Sequence, residues 1–169
     1  MTDFEELKAR IRSLDASKSE RGYWRLAHDI EAALLYLDQF PEGAFSVFAV
    51  VFGDGQVASR KGVCHFANIL QSDFYKLSPT QAGRLLDLFL VNASAYRDEL
   101  TRHCIADLVA RHYPEEESLR FFRALANLHS LEGEHMCAVG CDIILRRDAT
   151  SGAAKNAARE LLAKLKLQR

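Results

Sequence analysis

From Ser19 to Phe40 apolar side chains recur at Tyr23, Leu26, Ile30, Ala33 and Leu37, the i, i+3/i+4 spacing that lines one face of an α-helix. Pro41 follows and predicts the end of that helix. The same period predicts shorter amphipathic helices over Asp3–Leu14, Lys61–Phe74, Pro79–Tyr96, Asp98–His112, Glu117–Leu131, Glu134–Arg147 and Gly152–Leu167. Several starts carry a chemical signal. Ser78-Pro79 reads as an N-cap with proline at the first helical position, Asp98 as the cap of the next helix, and Pro114-Glu115-Glu116-Glu117 as an acidic opening that favours the positive end of the helix dipole. Ala44–Phe52 is the ambiguous stretch, because Phe45-Ser46-Val47-Phe48-Ala49-Val50-Val51-Phe52 is rich in strand formers and Gly53-Asp54-Gly55 is a hairpin-type turn. A buried helix is the expectation here, since a lone hairpin would have no partner strands.

Composition agrees with a helical reading. The 169 residues are 49% hydrophobic and 27% charged, with only 9 Gly and 3 Pro. That is too apolar for a disordered chain and too poor in turn residues for a many-stranded β fold, and it is long enough for one core, so residues 1–169 are expected to form a single helical domain. A formal net charge of −1 creates no global field toward nucleic acid or an anionic membrane. The acidic start, Met1-Thr2-Asp3-Phe4-Glu5-Glu6, lacks the apolar core of a signal peptide, and no apolar run reaches the roughly 18 residues of a membrane helix. The expected location is cytoplasmic, where Cys64, Cys104, Cys137 and Cys141 would stay free thiols.

A frame recurs along the chain. His28-Asp29-Ile30, Ala67-Asn68-Ile69-Leu70, Ala106-Asp107-Leu108-Val109 and Cys141-Asp142-Ile143-Ile144 each set Asp or Asn before apolar residues, and the polar position steps by 39, 39 and 35. The last two units add an arginine one turn later, giving Asp107 with Arg111 and Asp142 with Arg146 at i, i+4. On these residues the chain, from Arg21 to Leu167, resembles HEAT-type helical repeats, whose first helices often carry an Asp and a later basic residue. The resemblance implies an all-α fold, a right-handed stack of antiparallel helix pairs forming an α-solenoid, with an irregular helical bundle as the alternative. Asn68 is followed by Ser72 and Asp29 by Ala33, so half of the units lack the pair.

Candidate chemistry is sparse. Cys64-His65 and His103-Cys104 are sequence neighbours, and adjacent helix residues point about 100° apart, so neither forms a nucleophile and base dyad. Cys137 and Cys141 share a helix face near His129 and His135 but lack the loop spacing of a zinc knuckle, so no metal and no cofactor are expected. Gly53-Asp54-Gly55 has no following Gly-Lys-Ser/Thr for phosphate, and Gly43-Ala44-Phe45-Ser46 lacks the glycine flanks of a hydrolase nucleophile elbow. Trp24, the one tryptophan, is expected in the core.

Charge is the more informative feature. From Arg146 onward seven Lys or Arg residues face Asp148 and Glu160, a balance of +5 against −6 before them. The second helices of the stacked pairs would expose Arg84 and Asp87, then Arg120, Arg123 and Asn127, then Arg159, lining one concave wall. Arginine forks onto carboxylates and phosphates, so the expected partner is one protein with an anionic surface, with nucleic acid the lesser choice and no membrane. The expected function is a non-enzymatic protein-binding module, similar to bacterial immunity proteins that neutralise a toxin. The alternatives are a nucleic-acid-binding or DNA-glycosylase-like HEAT protein, and a small-molecule enzyme or carrier anchored by Tyr36, His65 and Tyr96.

Overall fold

The computed structural model describes residues 2–167 and contains ten α-helices, with no strand among those residues. They are α1 (Phe4–Ser13), α2 (Ser19–Leu34), α3 (Glu42–Gly53), α4 (Gly55–Ala58), α5 (Cys64–Asp73), α6 (Pro79–Val91), α7 (Glu99–His112), α8 (Glu115–Asn127), α9 (Leu131–Arg146) and α10 (Gly152–Leu167). Short 3-10 turns at Ala16–Lys18, Phe74–Lys76 and Ala93–Ala95 bend the chain between them. No described helix is long and apolar enough to cross a membrane.

The helix starts have local causes. Ser78 Oγ accepts from the Gln81 backbone N–H while the Gln81 side chain accepts from the Ser78 N–H, a reciprocal capping box with Pro79 in the first turn of α6. Asp98 accepts from the Thr101 N–H at the start of α7, and Ser130 caps α9 through the Gly133 N–H. Ala44–Phe52 lies within α3 and is helical, nearly all of it buried. Asp54 separates α3 from α4 and caps the latter by accepting from Gln56 and Val57.

One boundary departs from expectation. The helix from Ser19 stops at Leu34 rather than running to Phe40, and Pro41 serves as the N-cap position of α3 instead of the stop of α2. At that end the Leu34 carbonyl accepts both from the Leu37 backbone N–H at 3.1 Å and from the buried ammonium of Lys76, 42 residues away, at 3.0 Å; Lys76 also pairs with Asp73 at 3.1 Å. Leu35, Tyr36 and Leu37 are consequently exposed.

Each helix buries its apolar face on neighbours. α2 packs on α5, α5 on α7 and α7 on α9; α1 packs on α3, α3 on α6, α6 on α8 and α8 on α10; α9 also touches α8 and α10. Buried residues from all these helices form one continuous cluster. At its N-terminal end edge-to-face rings run from Tyr23 to Phe66, Phe48 and Phe40, and a second set joins Phe52 to Phe89 and Tyr96. The buried tyrosines keep partners: Tyr96 donates to the Phe52 carbonyl at 2.8 Å and Tyr23 to the Ile11 carbonyl at 3.2 Å. At the other end, small residues let α9 approach closely, and Gly140 lies directly against the buried Phe122 ring of α8.

Glycines in two helices therefore predict opposite effects of one substitution. A methyl group at Gly140 meets the Phe122 ring, which is fully buried and has no room to retreat, so Gly140→Ala is expected to cost about 1–3 kcal/mol by overpacking despite its better helix propensity. Gly83 is exposed within α6 with nothing within 4 Å of an added methyl, so Gly83→Ala is expected to stabilise by about 0.5–1 kcal/mol. Thermal melts of the two variants check both signs.

Candidate functional site

Arg84, Asp87, Arg120, Arg123, Asn127 and Arg159 are all exposed, on α6, α8 and α10. Their cationic groups are not equivalent. Arg84 pairs with Glu42 of α3 and lies over the Phe45 ring, 4.6 Å from its centroid. Asp87 lies beside it in a shallow hollow with Ala49, Leu88 and Val91. Arg120 faces Glu116 across one helical turn at 3.7 Å. Arg123 and Lys164 have no carboxylate partner within 4 Å among the described residues, and Arg159 donates to Asn156 of its own helix at 2.8 Å.

These less committed cations flank a groove of about 260 Å³ between α8 and α10, lined by Arg123, Asn127, Ala157, Glu160, Leu161 and Lys164. Its orientation follows from α8. Ser118, Leu119, Phe121, Phe122, Leu125 and Ala126 are buried, which leaves Arg120, Arg123 and Asn127 on the solvent side. Lys164 donates to Asn127 Oδ1 at 2.7 Å and ties the groove walls together. Of the basic end of the chain, Lys155, Arg159, Lys164 and Lys166 lie on α10, while Arg146 pairs with Asp142 on α9 and Arg147 donates to the Ala110 carbonyl.

A second concavity lies between α2 and α5 and contradicts an expectation. Trp24 is 49% exposed rather than in the core, and lines a cleft of about 200 Å³ with Ala27, His28, Glu31, His65, Asn68, Ile69 and Ser72. The His28 ring stands edge-on to the indole at 4.6 Å, and His28 Nδ1 is 3.4 Å from Glu31. An adjoining hollow, reached past Trp24 and His65, is lined by Ser17, Lys18, Glu20 and Arg21. Sequence did hold a signal for this site: Arg21, Trp24, His28 and Glu31 form a stripe of their own, rotated from the buried Tyr23, Leu26, Ala27, Ile30 and Leu34.

The remaining candidates do not converge. Tyr36 is 90% exposed in the turn after α2, whereas Tyr96 is buried with its hydroxyl on the Phe52 carbonyl. Cys137 and Cys141 are buried in the core on α9, while His135 accepts from Arg102 Nε at 3.2 Å. Burial pushes the Cys104 thiol up to about 11, the reverse of an activated nucleophile. The expected pairs are present on α7 and α9: Asp107 with Arg111, and Asp142 with Arg146 at 3.0 Å. Asp107 also accepts from Gln71 Nε2 of α5 at 2.8 Å, and Gln71 Oε1 in turn accepts from His112 at 2.9 Å.

His65 and His135, both partly buried, and the more exposed His112 are held below the ordinary imidazole range; desolvation is the largest cause in each case, partly offset by Glu20, Glu99 and Asp107 respectively. The unfolded chain then binds more protons than the folded one as pH falls below about 6.5, so stability is present in full above that value and is lost on acidification through the depressed range. The urea midpoint should be level between pH 8 and 7 and decline toward pH 5.5, with a shallower decline in His65→Gln. A midpoint that rises on acidification would contradict this assignment.

In comparisons with known proteins, no family model, no curated sequence and no solved structure matches the chain.

Proposed function

We propose that this chain is a non-enzymatic protein-binding module, a HEAT-like stack of helix pairs that engages one protein partner through the basic face of α8 and α10. Immunity proteins that neutralise a toxin are one such use. The order of helix neighbours supports the stacked reading, because α2, α5, α7 and α9 follow one another and α3, α6, α8 and α10 do likewise. The observation that carries the functional reading is the α8/α10 groove, where Arg123 and Lys164 stand at solvent without a carboxylate partner among the described residues. The Arg123 guanidinium can fork onto a carboxylate of another surface, and the Lys164 ammonium, which donates to the neutral Asn127 amide, keeps its charge uncompensated there. A net charge of −1 favours an acidic protein patch over nucleic acid, whose binders carry a broad basic field.

Charge reversal distinguishes the members of this face. With the partner isolated by affinity capture, Arg123→Glu with Lys164→Glu should slow association at least about tenfold at low salt, and the difference should shrink near 1 M salt. Arg120→Glu should have a smaller effect, because Glu116 already offsets that charge. Neither change should lower the melting temperature by more than about two degrees, since the heads are exposed. Parental association rates in the double variant would remove the site from this face.

A further inference from the structure

We infer that the cleft between α2 and α5 is a binding site for an organic cation, an alkylammonium or guanidinium head, taken up beside the Trp24 indole, the His28 ring and the Glu31 carboxylate that line it. It is independent of the α8/α10 face and has the opposite charge preference. Three observations carry it. The indole is the largest side chain in the cleft and is half exposed, with the His28 ring at right angles to it, 4.6 Å between centroids. Glu31 is the one Asp, Glu, Lys or Arg lining the cleft, and its neighbour within 4 Å is an imidazole rather than a lysine or arginine. Asn68 Oδ1, a further wall, accepts only a long contact of 3.6 Å from the Cys104 thiol.

The lining is therefore rich in acceptors and in aromatic surface. A positive group bearing N–H donors satisfies the carboxylate and the amide oxygen and gains from the ring quadrupole. An anion would meet Glu31, and a neutral apolar guest would strip water from that carboxylate without replacing it. Lys18 and Arg21 line the adjoining hollow and not this cleft. About 200 Å³ suits a side-chain head or a small amine, not a nucleotide or a folded domain. The cation reaches the cleft either as a free amine or on a lysine or arginine projected by a protein.

Trp24 is the single tryptophan of the chain, so its fluorescence reports on this cleft and the hollow adjoining it, and Glu31→Gln separates the two. The probes are n-butylammonium, N-acetyl-lysine methylamide and N-acetyl-arginine methylamide, with n-butanol as the neutral analogue, titrated at pH 8, above the ordinary imidazole range. Saturable emission changes are expected for the cations and none for n-butanol, with affinity falling about tenfold in Glu31→Gln and unchanged in Asp148→Asn. Tighter binding of the blocked residues than of n-butylammonium assigns the cation to a protein side chain; the reverse order assigns it to a free amine. The inference is overturned if no cation gives a saturable change by about 100 mM, where about 1.4 kcal/mol of binding half-fills the site, if n-butanol binds equally, or if Glu31→Gln binds as the parent does.

Discussion

The contact between the Phe122 ring and the bare Cα of Gly140 fixes how closely α8 approaches α9, and much of the C-terminal half depends on it. α9 is also the helix on which α7 and α10 pack, so a change in its spacing would move both. Close-packed interiors do not absorb an added methyl by compression. Because Phe122 and its neighbours Leu119 and Leu125 turn inward, the intervening Arg120 and Arg123 have to turn outward. The position of the basic groove is thus a consequence of where α8 buries its apolar stripe.

What was legible in the sequence is what local chemistry decides. Ser78 and Asp98 cap their helices through atoms three residues away, Pro79 opens the first turn of α6, and Ala44–Phe52 is helical because neighbouring helices, not partner strands, cover its apolar side chains. The i, i+4 pairs of α7 and α9 follow from spacing alone. Distant partners decided the rest. Lys76, 42 residues away, shares the Leu34 carbonyl with the Leu37 backbone N–H at the end of α2, a contact that no pattern between Ser19 and Phe40 encodes. Arg84 looks like a free cation in the sequence, yet Glu42, 42 residues upstream, stands beside it, whereas the Glu116 partner of Arg120 lies at the same legible i, i+4 spacing. Trp24 was misread because size and apolarity outweighed phase: it lies next to Tyr23, about 100° around the helix from the buried stripe.

The two concavities divide the surface by charge. Between α8 and α10 the cations Arg123 and Lys164 lie at solvent, with Glu160 the one carboxylate of the groove lining. Between α2 and α5 the carboxylate of Glu31 stands without lysine or arginine, beside an exposed indole. A partner with an acidic patch fits the first, and a basic head fits the second. The network of His112, Gln71, Asp107 and Arg111 links α5, one wall of the cleft, to α7.

Amide hydrogen exchange on the free protein and on its complex with the captured partner tests the central claim most directly, because it reads every helix at once. The account predicts slowed exchange at the solvent-facing amides of residues 115–127 and 152–167, strongest around Arg123 and Lys164. Protection absent from both segments, with the partner demonstrably bound, would contradict it.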